Sequence, residues 1–392
     1  MTKLTVKFVD KDKNDESLYG TKQISVGSSQ ISTPIIAYNN NLIRTDEQVA
    51  PATRGLNEIY CEVPTKQTSL EQLVKNPEVT EDLDKRIKSQ IKKTSASEIT
   101  VCILECNVKS YPPSEQWEFL LDTTHANSDI VPIPNIPNIT SDILDSESQF
   151  SKYLAFLEES IKYLKVINEK PIMGIIPKLS YPYTRRLVEF YDKQNLDAFC
   201  VDFAARNMIT AKRDCLNVLK TLKRKERIEN SFLYAYNVNS GRLTKTVDAV
   251  PAKDILSFGF GFDAFGRKHK RPKVTTEIWK KINTLPTKVR IFNKTDYGYY
   301  RVIDSKKITD VYPLDSCFAR DKFSRFLELS VTELRRCEGL VNTEQLGMEA
   351  FRLRQIIKND KPMDYLSEKP YVRKETIKTM KNFKNSVLAD SQ

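Results

Sequence analysis

Three carboxylates close short apolar runs in this chain: Glu105 after Ile99-Thr100-Val101-Cys102-Ile103-Leu104, Asp202 after Ala198-Phe199-Cys200-Val201, and Asp263 beside Ala264-Phe265. A carboxylate held out of water can attack an electrophilic carbon or pass a proton, so all three are candidate site residues. Asn107, Asn135, Lys178 and Asn207 stand at similar positions and could add polar groups to the same pocket. Each of these residues alone fits a turn or a helix cap. A polar pocket requires that they converge.

A second group of residues is cationic. Arg267, Lys268, His269, Lys270 and Arg271 follow the run Phe262-Asp263-Ala264-Phe265-Gly266 almost without interruption. Lys223, Arg224 and Lys225 lie in another basic stretch, 208–229. Clustered positive charge suits a phosphate backbone, and a solvated loop is the plain alternative. His269 could contact a phosphate or transfer a proton, whereas His125, near a predicted helix end, reads as structural or exposed. Two histidines and dispersed cysteines do not suggest a zinc site, and no metal is expected.

Convergence depends on the elements between these residues. From about residue 99, β-branched apolar runs alternate with helical stretches, and the runs end near 105, 135, 177, 202, 237 and 265. Near-continuous apolar strands separated by helices predict a parallel sheet covered on both faces. Six or seven such units, each ending in a polar residue, predict an α/β fold of the (β/α)8 TIM-barrel type, with the polar ends at one mouth. The expected organisation is a β hairpin region with polar helices over 1–98, a barrel body over 99–310, and a helical, basic extension over 311–392. No glycine-rich phosphate loop follows a strand, so no nucleotide cofactor is expected.

With 62 Lys and Arg against 51 Asp and Glu, the net charge of +11 points toward a polyanionic partner. The N-terminal MTKLTVKFVDKDKNDE lacks an apolar signal core, and no run approaches the length of a membrane span. Seven cysteines without a Cys-x-x-Cys pair fit free thiols in a reducing cytoplasm.

The order of segments over roughly 20–360 resembles the tRNA-guanine transglycosylase superfamily, including relatives that place 7-deazaguanines into DNA. Ile31-Ser32-Thr33-Pro34 is similar to its Thr-Pro entry, and Gly174-Ile175-Ile176-Pro177 to its Gly-Ile-Val-Gln strand. Phe260-Gly261-Phe262-Asp263-Ala264-Phe265-Gly266 resembles Gly-Phe-Asp-Leu-Phe-Asp, whose last Asp is the family's nucleophile; Gly266 stands there in this chain. Glu105 and Asn135 fall where the family has an acidic residue and its base-reading Asp. The stretch from Asp315 to Leu327 resembles the zinc motif, with Cys317 alone of its three cysteines.

The resemblance implies a barrel that exchanges guanine in a nucleic acid, DNA before tRNA, for a 7-deazaguanine through a covalent glycosyl–carboxylate intermediate. It makes Asp202 and Asp263 the candidate nucleophiles, and assigns Glu105 to general acid/base proton transfer, Asn135, Lys178, Asn107 and Asn207 to base reading, and the basic stretches to phosphates on either side of an extruded base. A homodimer is compatible with it. Two other readings stay open: a non-catalytic nucleic-acid binder, and an unrelated barrel enzyme acting on a small anionic substrate.

Overall fold

The computed structural model describes the whole chain except residues 1–2, 45, 65–68, 92, 96, 144–145, 168–169, 242–247, 270–288, 360 and 390–392. Eight parallel strands form the centre: β4 (Ile35–Asn39), β5 (Leu56–Val63), β6 (Ile99–Cys106), β7 (Val131–Pro132), β8 (Ile172–Ile176), β9 (Ala198–Asp202), β10 (Phe232–Val238) and β12 (Ala264–Arg267). Each pairs with the next in chain order, and β12 pairs back onto β4. Between β6 and β7 the ladder is completed by Asn135, whose N–H donates to Leu104 O at 2.8 Å while Cys106 N–H donates to Asn135 O at 2.6 Å. The sheet is therefore a closed α/β barrel, as the alternation of runs predicts.

The barrel begins earlier than expected. β4 and β5 are its first two strands, so its body starts at Ile35 and not at 99. The hairpin reading holds only for the segment ahead of them. There, β1 (Leu4–Lys11), β2 (Gly20–Val26) and β3 (Ser29–Ser32) form an antiparallel sheet. Its Leu4, Ile24, Val26 and Ile31 share one apolar cluster with the barrel interior, so this sheet plugs the end at which the strands start.

The covering helices follow from the sequence pattern. α1 (Leu70–Lys75) and α2 (Pro77–Ile91) lie between β5 and β6, and α3 (Ser114–Ala126) between β6 and β7. α4 (Pro137–Ile143) and α5 (Glu147–Ile167) precede β8; α6 (Tyr181–Lys193) and α7 (Met208–Arg224) precede β9 and β10. On α5 the buried Phe150, Tyr153, Leu157, Ile161 and Leu164 recur at three- and four-residue intervals, which is one face of a helix. Along the strands the side chains alternate: Ile59, Cys61 and Val63 pack outward against helices, while Leu56 and Tyr60 join the interior cluster.

A second antiparallel sheet, β11 (Ala249–Pro251), β14 (Gly298–Val302) and β13 (Val289–Asn293), adjoins the barrel. The 29-residue helix Val331–Asn359 packs along β13, β4 and the short turn at Pro51–Thr53. Its buried Glu344 accepts from Ala50 N–H at 2.9 Å, Ser316 Oγ–H at 2.5 Å and Cys317 N–H at 3.0 Å, joining three separate segments through one carboxylate.

Candidate functional site at the barrel mouth

In a barrel of this kind the strand ends carry the chemistry. Three of the expected residues meet there. Asp202, the last residue of β9, lies beside Asn135, whose Nδ2 donates to Asp202 Oδ2 at 3.3 Å. Glu105, near the end of β6, is bridged in parallel to Asn135. All three are almost wholly buried. Asp202 Oδ1 accepts from Ala204 N–H at 2.7 Å. That donor is aimed by an unusual turn, because Ala204 and Ala205 both have left-handed backbones, with φ of 47° and 59°. Non-glycine residues held in that region are uncommon and concentrate at functional sites.

The opposite wall carries a group that the strand-end pattern does not reveal. Glu58, in the middle of β5 and 1% exposed, points into the barrel. One carboxylate oxygen accepts from the Tyr234 hydroxyl, and the other meets His269 Nε2. The His269 ring stacks on Tyr60 with centroids 4.4 Å apart and lies 5.9 Å from Tyr236. Its Nδ1 is 3.4 Å from Asn39 Nδ2, and its backbone N–H donates to Asn237 Oδ1 at 3.3 Å. Burial, reinforced by Glu58, raises the Tyr234 hydroxyl well above its ordinary value. Burial raises Tyr60 and Tyr236 too, with Tyr60, Glu105, Asp202 and Glu58 adding to the shift at Tyr236. These phenols stay protonated; Tyr234 donates to Glu58, and the shifts of Tyr60 and Tyr236 both respond to Glu105 and Asp202, which places the two carboxylates at one mouth. The period-two sequence Leu56, Glu58, Tyr60, Glu62 was the available signal, since a charge recurs on the inward face of a strand.

Several expected roles are displaced. Asp263 precedes β12 instead of ending it, so it lies at the plugged end of the barrel. There it pairs with Lys22 at 2.9 Å and accepts from Leu233 N–H at 2.7 Å. Burial raises its carboxyl, with Lys22 opposing. It cannot reach a substrate held by Asp202, so the nucleophile role is withdrawn from it. α7 runs back from the mouth, and its Lys223 and Arg224, with Lys225 just beyond, therefore sit at the opposite end from Lys268. The two basic stretches cannot flank one base.

Within the basic block, Arg267 donates to Gly339 O at 3.1 Å and Lys268 is exposed. His269 turns inward and binds Glu58, which replaces its expected phosphate contact. Lys270 and Arg271 lie outside the described residues.

Asn207 caps α7, accepting from Thr210 N–H at 3.2 Å, a structural role in place of base reading. Asn107 Nδ2 donates to Glu62 Oε1 at 2.7 Å at the rim. Lys178 is exposed and lines a narrow cleft with Asp202, Phe203, Arg206 and Asp214. His125 is largely buried near the end of α3, and burial lowers its imidazole. Among the described residues no group of three or more His, Cys, Asp or Glu is arranged to hold a metal ion. Among them, too, no helix is long and apolar enough to cross a membrane.

No protein-family model and no curated protein matches the chain. Solved structures do. The carboxyl transferase domain of Rhizobium etli pyruvate carboxylase matches at 11% identity over 76% of this chain, with a TM-score of 0.33; the match spans 41% of that protein's chain. The enoyl reductase domain of MlnA from the macrolactin cluster of Bacillus amyloliquefaciens matches at 8% identity, over 84% of this chain and 94% of that one, with a TM-score of 0.30. A protein described as a dihydrodipicolinate synthetase, from Pseudomonas aeruginosa, matches at 11% identity, over 73% and 99%, with a TM-score of 0.28.

Proposed function

We propose that the barrel mouth exchanges a guanine in a nucleic acid, DNA before tRNA, for a 7-deazaguanine. The observation that carries this reading is the hydrogen bond from Asn135 to Asp202, which ties a strand-end carboxylate to the strand that carries Glu105. Two carboxylates of different surroundings near one buried amide suit a displacement that needs a nucleophile and a proton carrier.

Asp202 attacks the sugar C1′ as the bond from C1′ to the base breaks. The bonding pair leaves with guanine, whose nitrogen takes a proton from Glu105. The incoming deazaguanine returns its N–H proton to Glu105 as its nitrogen attacks C1′, and the C1′–O bond breaks to restore the Asp202 carboxylate. The Ala204 N–H and the Asn135 amide hold Asp202 in a dry setting, where such fixed donors act more strongly than in water. Among the described residues, Lys268 and Lys178, both exposed on the mouth side, are cations available to adjacent phosphates.

The test is incorporation of labelled guanine into DNA and tRNA by the purified full chain. Incorporation that disappears in Asp202→Asn supports the reading, and its absence with every nucleic acid tried rejects it. Binding without exchange is the second reading. The packing around Gly266 favours it, since the position the family uses for its nucleophile has no room for a side chain.

A further inference from the structure

Two side chains fix the hydrogen-bonding state of His269. Asn39 Oδ1 accepts from Asn41 N–H at 2.9 Å, so the Asn39 amide turns its Nδ2 donor toward His269 Nδ1. Nδ1 must then be the lone-pair nitrogen, and Nε2 carries the proton that goes to Glu58. The imidazole is thus held by an acceptor on one edge, a donor across the ring and tyrosine faces alongside. The three ring centroids form a triangle of 4.4, 5.9 and 6.4 Å, and the histidine side chain is only 7% exposed. Nothing in that description requires the heterocycle to belong to the protein.

We propose that Glu58, Asn39, Tyr60 and Tyr236 form a binding slot for a planar nitrogen heterocycle, and that His269 occupies it as a built-in competitor. The ligand class follows from the contacts. It must present one N–H to Glu58 and one ring lone pair to Asn39 across a five-membered ring, as imidazole does. A free purine does the same with N9–H and N7. Glu58 cannot swing away, because its second oxygen is held by Tyr234 and Gly266 closes over it. His269 can turn about its side-chain bonds, because among the described residues its ring has just these two polar contacts. The proposal rests on the base-exchange reading and adds where a free base is held; the slot itself does not require exchange to occur.

Two measurements test it with imidazole and guanine as probes. In full-length His269→Ala, checked for folding by near-ultraviolet circular dichroism, calorimetry should show both probes binding at least about tenfold more tightly than in the unchanged protein. Adding Glu58→Gln should lower that affinity by roughly 10- to 100-fold, the effect of losing a charge-assisted hydrogen bond. Equal affinity in the two proteins, or no binding to folded His269→Ala, overturns the slot.

If that variant does not fold, the unchanged protein decides. It has two histidines, so labelled imidazole nitrogens give two resolvable sets of signals. Saturating imidazole should shift His269 toward the signals of a solvated ring and leave His125 in place. A His269 that does not respond rejects the proposal. Exchange without heterocycle capture rejects the slot alone, and capture without exchange rejects the base-exchange reading alone.

Discussion

The hydroxyl of Tyr234 lies where a Cβ on residue 266 would have to go, and the Glu58 carboxylate crowds the same space. Glycine at 266 is therefore a packing requirement of the Glu58 cluster. An aspartate written at this position would meet the same obstruction.

Gly266→Ala should accordingly cost about 1–3 kcal/mol, the usual range for overpacking a filled interior. Urea unfolding measures it. Adding Tyr234→Phe should recover part of the loss by removing the colliding oxygen, and no recovery would place the strain elsewhere.

Asp202→Asn should abolish base exchange while leaving nucleic-acid affinity nearly unchanged, because it alters the reacting atom and no phosphate contact. Glu105→Gln should slow exchange by roughly 10^2- to 10^4-fold, the span of general acid–base contributions. Asp263→Asn, at the plugged end, should leave the rate of the folded protein intact. Single-turnover incorporation of labelled guanine separates the three.

The two basic stretches should respond differently. Lys268→Ala should lower the slope of log affinity against log salt by about 0.9 for duplex DNA, one phosphate contact. Replacing Lys223 and Lys225 together should not affect exchange, since they lie at the other end of the barrel. Anisotropy titrations across salt concentrations read the slopes. A larger loss from the Lys223 and Lys225 pair would move the nucleic acid to that end.

Burial raises the Glu349 carboxyl above its ordinary value of 4.5, against hydrogen bonds from Tyr365 at 2.7 Å and Tyr297 at 2.8 Å. A carboxyl raised on folding gives a stability contribution that is complete below the unfolded value and is lost as pH rises through the folded one. Glu349→Gln keeps an acceptor for both tyrosines and removes the ionisation. The variant should therefore gain on the unchanged protein as pH climbs above 4.5, which paired urea melts at pH 5 and pH 8 can follow. A constant difference between the two would exclude Glu349 as the source.

Ala204→Gly should stabilise the chain. A left-handed alanine costs roughly 1–2 kcal/mol, and glycine removes that cost while losing roughly 0.5–1 kcal/mol to unfolded-state freedom. The Ala204 N–H bond to Asp202 is kept. A net loss in thermal stability would show that the methyl groups of this turn contribute packing.

The barrel was legible because its later strands are unbroken apolar runs with polar ends, from Ile99 to Phe265. Asp202, Glu105 and Asn135 were legible for the same reason. β4 and β5 were not, since β5 carries Asn57, Glu58 and Glu62 within eight residues and reads as the polar hairpin that does lie just ahead. The inward charge at Glu58 is tolerated because Tyr234 and His269 both contact it, from positions about 180 and 210 residues later, beyond any local pattern. Asp263 was misplaced by one step of direction, because a carboxylate before a parallel strand and one after it face opposite ends of the barrel. The basic face of α7 was misplaced because a helix returns the chain to the end where the strands begin.

The Glu344 carboxylate has a temporal meaning as well as a spatial one. It gathers Ala50, Ser316 and Cys317 onto the middle of a helix that also covers β4, and Arg354 of that helix donates to the carbonyls of Ser32 and Pro34. The first strand of the barrel thus waits without its last neighbour β12 until about 225 further residues have been made, and without its covering helix until about 300 have. During synthesis the nascent chain holds an open, apolar sheet edge until β12 has been made, and the cover over that edge comes later still.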